Sequence, residues 1–215
     1  MVKADLHVHT GYSMDATASL EQIVEHCLRI GINCLAIADH NTMAGAVRLK
    51  EIAPFRVIVA EEILTTCGEV IGMFLTEEIP SKLTIEETIT RIKAQQGLVC
   101  IPHPYDNFRL SAFRNEAFVA IMPQVDIIEV FNSRSLSPHN SAKAKKLAEE
   151  FGKPASAGSD AHIASEIGKA YVEMPDFNDK ETFLSSLTEG RIVGRKSSPL
   201  VHFASTWARL TKNTR

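Results

Sequence analysis

The fold is decided by the stretch Lys3-Ala4-Asp5-Leu6-His7-Val8-His9-Thr10, which is interpreted as the first strand of the chain. Because side chains alternate across a strand, Asp5, His7 and His9 are expected to share one face and to converge on a single point. Buried carboxylate and imidazole groups are costly unless something neutralises them, and a bound cation does this most simply. The stretch therefore predicts a metal site, although a His-x-His pair alone is also compatible with ordinary strand residues.

The distribution of the other histidines favours the metal interpretation. The histidines that follow an apolar run, or lie within two residues of an acidic residue there, are His7, His9, His40, His103 and His162. The three that lack this setting are His26, His139 and His202. We therefore expect several separate segments of the chain to contribute imidazoles to one site.

Length and composition are typical of a globular protein with one sizeable core. The chain has 215 residues, of which 45% are hydrophobic and 23% charged, as in soluble domains. Its formal net charge of -3 gives no general electrostatic case for nucleic-acid binding. The four cysteines lack Cys-x-x-Cys spacing, which favours reduced thiols and a cytoplasmic location. Neither a signal peptide nor a membrane-spanning helix is predicted.

Strands and helices alternate along the chain about seven times. Short apolar runs predict strands at residues 33–38, 56–60, 70–75, 98–101, 125–131, 155–157, 171–174 and 192–193. Capping signals and Pro or Gly boundaries predict helices after Ser19, up to about residue 52, after Thr84, over 138–151 and over 179–189. This order favours a barrel-like parallel sheet in one domain.

Candidate ligands lie at or just past the carboxyl ends of these strands. They are His7, His9, Asp39, His40, Glu62, His103, Asp160 and His162. In a closed parallel barrel the carboxyl ends form one rim, so residues distant in sequence become neighbours in space. Five separate strands that end in His, Asp or Glu are hard to explain by chance.

The same residues carry a resemblance to a known family. The ordered motifs are Asp5-x-His7-x-His9-Thr10, Ser13-x-Asp15, Asp39-His40, Glu62, Pro102-His103-Pro104 and Gly158-Ser159-Asp160-Ala161-His162. In this order they resemble the polymerase and histidinol phosphatase (PHP) superfamily, over residues 1 to about 195. The resemblance implies an α/β fold, a distorted (β/α)7 TIM-like barrel in a single domain over residues 1–195. Residues 196–215 would be a C-terminal extension packed on the barrel or trailing from it.

The resemblance also implies two or three divalent metal ions. The expected metals are Zn, Mn or Fe, with Mg as a further candidate. One ion would be held by His7, His9, Glu62 and Asp160, a second by Glu62 and His103, and a third or outer one by Asp15, His40 and His162. Many members place a histidine on the strand after the glutamate, and this sequence has none. Glu69 is the nearest chemical substitute, although it also fits an ordinary turn residue. A carboxylate in that place would favour Mn, Fe or Mg relative to Zn.

The expected mechanism uses a water that bridges two metal ions. Two ions roughly 3.5 to 4 Å apart would lower the pKa of this water and stabilise both oxygens of a displacement at phosphorus. Asp160 or His162 would orient the resulting hydroxide or take its proton, and His40 or His162 would protonate the leaving alkoxide.

Three further residues are candidates for substrate binding. Arg109 and Arg134 lie in predicted loops near the same rim, and a planar guanidinium matches the geometry of phosphate oxygens. A surface salt bridge is the more ordinary role for an arginine. Asn132, close to Arg134, could donate a hydrogen bond to substrate.

The expected activity is hydrolysis of a small phosphoester, such as a nucleotide or a sugar or amino-alcohol phosphate, with no membrane or nucleic-acid partner. Two alternatives remain open. One is a non-catalytic module that binds metal and a phosphorylated metabolite, although a purely structural metal site is usually closed and mononuclear. The other is hydrolysis of a C–N or C–O bond on the same metal centre. The identity of the substrate stays open, because the residues that would select it lie in the irregular stretches 105–122 and 132–140. The oligomeric state also stays open.

Overall fold

The computed structural model describes residues 1–106, 120–135 and 137–198. The strands are β1 (Val2–Val8), β2 (Cys34–Ile37), β3 (Arg56–Leu64), β4 (Glu69–Met73), β5 (Leu98–Ile101), β6 (Ile127–Asn132), β7 (Ala155–Gly158), β8 (Ala170–Met174) and β9 (Arg191–Gly194). The α-helices with both ends in the described residues are α1 (Leu20–Ile30), α2 (Ala44–Ile52), α3 (Ile85–Ala94), α4 (Pro138–Glu150) and α5 (Lys180–Thr188).

The strands form one sheet that nearly closes into a barrel. Its order is β7-β6-β5-β4-β3-β2-β1-β8-β9. The two sides meet where Val8 bridges Ala161, and where the backbone N–H of Asp160 donates to the carbonyl of His7 at 2.8 Å. The predicted α/β fold, a distorted barrel in a single domain, is confirmed. Its predicted C-terminal extension falls largely on residues 199–215, which lie outside the described residues.

Two parts of the sheet depart from the predicted repeat of parallel strands and helices. β4 runs antiparallel to both β3 and β5, and β8 runs antiparallel to β1 and to β9. The predicted parallel pairing therefore holds for β1, β2 and β3 and for β5, β6 and β7, but not for β4, β8 and β9. For β4 the physical reason is the short connection over residues 65–68, since a parallel crossover needs a dozen residues or more. β3 also continues past its predicted end at Ala60, so Glu62 lies within a paired strand.

Two helices, α1 and α3, begin at the capping residues that the sequence predicts. The Ser19 hydroxyl accepts the backbone N–H of Gln22, and the Gln22 side chain accepts the N–H of Ser19 in return. Thr84 and Glu87 form the same capping box at the start of α3. Each such cap stabilises its helix by about 1 kcal/mol. Gly31 ends α1 with a left-handed φ of 75°, as predicted.

The barrel interior is apolar at one end and polar at the other. In β3, Ile58 and Ala60 precede Glu62 on the same face, and in β6, Ile127 precedes Glu129. α5 closes the apolar end, where the Phe183 ring packs edge-on against Phe74 and Phe177. The carboxyl end of the interior is therefore left to buried polar groups.

Two further observations concern membranes and thiols. Within the described ranges, no helix is both long enough and apolar enough to cross a membrane. All four cysteines fall in the described residues and none forms a disulfide.

Candidate metal centre

Imidazole and carboxylate side chains gather at the carboxyl end of the barrel interior. Among the described residues, their ligand atoms form four overlapping groups, and within each group the atoms lie within 4.8 Å of one another. The groups are His7, His9 and Asp160; His7, Glu62 and His103; His40, Glu62 and Glu69; and His9, His40 and His162. The structure thus brings together residues from distant parts of the chain, as the strand ends predict.

The tightest group surrounds His7 of β1 and His9, which follows the end of β1. Their Nε2 atoms are 3.1 Å apart, and His9 Nε2 is 3.3 Å from Asp160 Oδ1. Glu62 Oε2 lies 3.5 Å from both nitrogens. Ligand atoms about 2.0 to 2.2 Å from a tetrahedral zinc ion are roughly 3.3 to 3.6 Å from each other. These four side chains therefore fit one divalent ion.

Glu62 also reaches the second predicted group. Its Oε1 is 3.1 Å from His103 Nε2. Glu69 lies farther out, with its oxygens 3.9 Å from His103 Nε2 and from His40 Nδ1. Glu62 can therefore offer one oxygen to each of two adjacent ions, and Glu69 is close enough to complete the second set.

The third predicted group forms the outer part of the centre. Asp15 Oδ2 is 3.5 Å from His40 Nε2, and Asp15 Oδ1 is 3.4 Å from His162 Nε2. The His9 ring lies beside both imidazoles, with centroid separations of 4.5 and 4.4 Å. Asp15 is thus not a simple turn residue, because its carboxylate faces two imidazoles.

One buried oxygen tests whether a cation suits this arrangement. Glu62 is fully buried, yet its Oε2 accepts no hydrogen bond from any described residue. Three imidazole nitrogens, those of His7, His9 and His40, lie 3.1 to 3.5 Å away from it. A buried acceptor left without a hydrogen bond costs about 1 to 3 kcal/mol. A divalent ion held by this oxygen together with His7 and His9 would satisfy the oxygen, so the residues present fit a metal ion.

The pKa values reflect the crowding of charges. Burial lowers the pKa of His7, but the carboxylates of Glu62, Glu129 and Asp160 outweigh burial and raise this pKa well above its usual value. Burial and the neighbouring imidazoles lower the pKa of His9 to about 3. His9 is therefore neutral and keeps a lone pair for a metal ion.

Two of the gathered residues have unusual backbone conformations. Asp160 has a φ of 54° and His103 a φ of 28°, both positive and therefore uncommon for residues other than glycine. His103 lies between Pro102 and Pro104, the pair predicted to hold its imidazole in one orientation. Backbone strain of this kind persists where surrounding contacts hold the chain in place.

Two acidic residues expected near the ligands lie elsewhere. Asp5 accepts the backbone N–H groups of Ser159 and Gly168 and joins none of the four groups. A register shift in β1 between Asp5 and Val8 breaks the simple alternation on which that expectation rested.

Asp39 also lies outside the ligand groups, and it holds the loop of Thr10 and Ser13 in place. Its carboxylate accepts hydrogen bonds from Thr10 and from the hydroxyl of Ser13, which lies 3.3 Å from His9 Nδ1. Asp39 therefore fixes the loop beside His9 and is absent from the grouped ligand atoms.

Two of the three residues predicted to bind substrate, Arg134 and Asn132, contact Asp160. Arg134 is buried, and its guanidinium donates to the carbonyl of Asp160 and lies 3.9 Å from Glu166. Asn132 donates to the carboxylate of Asp160 at 3.1 Å. Arg109 lies outside the described residues. The phosphate clamp formed by the two arginines stays a prediction.

Sequence reasoning missed Glu129. This residue is buried on the interior face of β6, and its Oε1 is 3.1 Å from His7 Nδ1. The signal was present in the run Ile127-Ile128-Glu129-Val130, where a carboxylate interrupts a buried strand. A buried carboxylate is costly unless it is paired, so this position indicated a partner, although not which one.

Comparisons with known proteins agree with this geometry. A family model described as PHP domain matches residues 5–117, and one described as PHP-associated matches residues 138–192. An uncharacterized protein of Methanocaldococcus jannaschii is 36% identical over 180 residues, which are 82% of this chain and 72% of that protein. A second protein of the same organism is 39% identical over 145 residues, covering 61% of this chain and 82% of its own length.

Among solved structures, a two-domain protein of Bacteroides vulgatus superposes with a TM-score of 0.71 at 16% identity. That protein is described as containing a predicted PHP-like metal-dependent phosphoesterase. The match covers 90% of this chain but 65% of that one, so this chain spans slightly less than two thirds of that protein. At such low identity the likeness concerns the fold.

Proposed function

The chain belongs to the PHP domain family, and from this premise we propose that it is a metal-dependent hydrolase that acts on small phosphoesters. The observation that carries the proposal is the position of Glu62, whose two oxygens face two adjacent sets of imidazoles. A carboxylate shared in this way is typical of hydrolases with two metal ions. The phosphoesterase named for the Bacteroides vulgatus protein supports the choice of phosphorus as the reacting centre.

The chain's own residues divide among two or three ions. His7, His9, Glu62 and Asp160 would hold the first, Glu62, His103 and Glu69 the second, and Asp15, His40 and His162 the third. Divalent ions held there supply a coordinated water of lowered pKa and positive charge for the phosphate oxygens. Glu69 adds a hard oxygen ligand, which favours Mn, Fe or Mg over Zn.

Two of the imidazoles are best suited to move protons. The side chain of His40 is 18% exposed and that of His162 is 7% exposed, whereas the other three gathered imidazoles are at most 1% exposed. We assign the protonation of the leaving alkoxide to His40, with His162 as the second candidate. Asp160, with His162 as the second candidate, would orient the attacking water or take its proton.

Substrate recognition is assigned to the same rim. Arg109 and Arg134 are proposed to contact phosphate oxygens, because a planar guanidinium matches their geometry. We place the reaction in the cytoplasm, where unpaired thiols such as the exposed Cys67 stay reduced.

The test is a hydrolysis panel on chelator-stripped protein that has been reloaded with Mn, Zn, Fe(II) or Mg. Phosphomonoesters and phosphodiesters are incubated with each form, and inorganic phosphate and released alcohol are measured. We expect turnover with at least one metal. Glu62→Gln should lower it by more than roughly 100-fold, the upper effect of losing a residue that only supports a ligand.

The matched control is Glu61→Gln, the adjacent buried glutamate on the opposite face of β3. It should leave turnover unchanged. If no metal form cleaves any phosphoester, phosphoester hydrolysis is refuted. Cleavage of amides or lactones without release of phosphate would favour the C–N or C–O alternative, and binding of phosphate without turnover would favour a non-catalytic module.

A further inference from the structure

Glu129 connects two histidines that belong to adjacent ligand groups. It lies on β6 with 3% of its surface exposed. Its Oε1 is 3.1 Å from His7 Nδ1, and its Oε2 accepts the backbone N–H of His103 at 2.7 Å. One carboxylate therefore fixes the ring of His7 and the backbone that carries the ring of His103.

Asn132 extends the connection to a third member of the centre. Its amide nitrogen donates to Glu129 Oε2 and to Asp160 Oδ2, both at 3.1 Å. Its amide oxygen accepts the backbone N–H of Arg134 at 3.0 Å. The opposite amide orientation would turn the oxygen toward two carboxylates, which cannot donate when ionised, so the contacts determine the orientation.

The hydrogen-bond chemistry explains why these positions carry a carboxylate and an amide. Glu129 receives hydrogen bonds from the imidazole of His7, the N–H of His103 and the amide of Asn132, so it must act only as an acceptor. A carboxylate on Nδ1 of a histidine also fixes the tautomer, which leaves the lone pair on Nε2. His7 Nε2 is the atom that faces His9 and Glu62.

A glycine next to the pair gives independent support. A Cβ atom on Gly158 would lie 2.3 Å from His7 Cβ and 2.9 Å from Glu129 Oε1. Such approaches are too close for any other residue. The last position of β7 therefore leaves room for the contact between His7 and Glu129.

We propose that Glu129 and Asn132 form a positioning pair that holds His7, His103 and Asp160 in the arrangement that binds metal. The proposal rests on the metal-binding part of the proposed function and not on the nature of the substrate. Neither residue needs to touch metal or substrate, because the pair acts through His7, His103 and Asp160. For Asn132 this role replaces the contact with substrate that the sequence suggested.

The test measures Co²⁺ binding by the chelator-stripped full chain, by competition with a chelator and by the visible absorption of bound Co²⁺. In Glu129→Gln, an NH2 group replaces one of the two oxygens that accept hydrogen bonds from His7, His103 and Asn132. Its affinity should be about 10 to 100-fold weaker and its absorption spectrum altered. The control is Glu61→Gln, because Glu61 accepts a single backbone N–H, from Ile79, and an amide oxygen can replace it. Its affinity and spectrum should match those of the wild type.

A folded Glu129→Gln variant with wild-type Co²⁺ affinity and spectrum would overturn the proposal. So would a variant whose only change is a lower melting temperature of the metal-free protein, since that result indicates a purely structural role. If circular dichroism shows that Glu129→Gln does not fold, Asn132→Ala carries the test, with an expected loss of at least about tenfold. Unchanged affinity there would also refute the pair. Neither measurement uses phosphoester turnover. If the hydrolysis panel fails, the Co²⁺ measurements therefore still test the positioning pair.

Discussion

At the scale of single residues, the imidazoles of His9 and His162 are each held by the nitrogen that faces away from the other ligands. His9 Nδ1 lies 3.3 Å from the hydroxyl of Ser13, and His162 Nδ1 lies 2.9 Å from the carbonyl of Asp160. These contacts leave Nε2 of each ring directed at the other ligands. An imidazole oriented in this way is ready to bind metal without a change of rotamer.

Ser13 gives the first prediction at this scale. Its hydroxyl donates to Asp39, accepts the backbone N–H of His40 and lies beside His9. Ser13→Ala should weaken metal affinity by about tenfold, because the His9 ring and the backbone at His40 lose the same partner. Titration with Mn²⁺ measures the change, and Ser185→Ala on the exposed face of α5 is the control. Equal affinities for the two variants would count against this role of Ser13.

The cysteines give a second prediction. Burial raises the pKa of Cys27 and of Cys34 to about 12 and holds that of Cys100 well above its usual value. Only the thiolate reacts, so these three should be inert in the folded protein at pH 8. A disulfide reagent should label Cys67 alone before denaturation and all four thiols after it. Rapid native labelling of Cys67→Ser would contradict this assignment.

At the scale of elements, the seam between β1 and β7 brings the first strand to the loop of Asp160 and His162. The backbone N–H of His9 donates to the carbonyl of Ala161 at 2.9 Å, and Gly158 packs against His7 at the same place. The contacts that close the barrel therefore also bring His7 and His9 next to Asp160 and His162.

Gly158→Ala tests this link. The added methyl group would lie 2.8 Å from the backbone nitrogen of His7, so the strands must separate. We expect a loss of about 1 to 3 kcal/mol of unfolding free energy together with weaker metal binding. Gly31→Ala is the control, since its Cβ meets nothing within 4 Å and only its φ of 75° is strained. It should cost about 1 kcal/mol without changing metal affinity. Equal effects of the two variants on metal binding would show that the seam does not hold the centre together.

What the sequence could predict depends on whether the determining interaction is local. The capping boxes at Ser19 and Thr84 involve residues three apart, and the structure contains both. The apolar runs likewise predicted each strand to within a few residues. The shift in β1 that turns Asp5 away from the centre depends on how β1 pairs with β2, which no local pattern reports. The role of Glu129 depends on a contact with His7, 122 positions away.

At the scale of the whole molecule, the fold collects acidic groups that repel one another when no cation lies between them. Glu62, Glu129 and Asp160 are all buried around His7. Their charge raises the pKa of His7 although burial lowers it, so a proton occupies the imidazole until a metal ion displaces it. Metal binding should therefore stabilise the fold and release protons.

This predicts a melting temperature that depends on metal and on pH. At a Mn²⁺ concentration near 1,000 times the dissociation constant, the gain is about 4 kcal/mol. For a chain of this size it should raise the melting temperature by roughly 8 to 16 °C. The rise should shrink between pH 8 and pH 6, because protons compete for His7. Differential scanning calorimetry measures both effects, and a rise that grows at lower pH would contradict the assignment of His7 as a ligand.

The most direct measurement is the number of divalent ions per chain, determined by elemental analysis of stripped and reloaded protein in the wild type and in Glu62→Gln. We expect at least two ions per chain in the wild type and fewer in the variant, with an unchanged circular dichroism spectrum. A wild-type chain that retains no ion, or a Glu62→Gln variant that retains as many as the wild type, would show that Glu62 does not hold a metal centre.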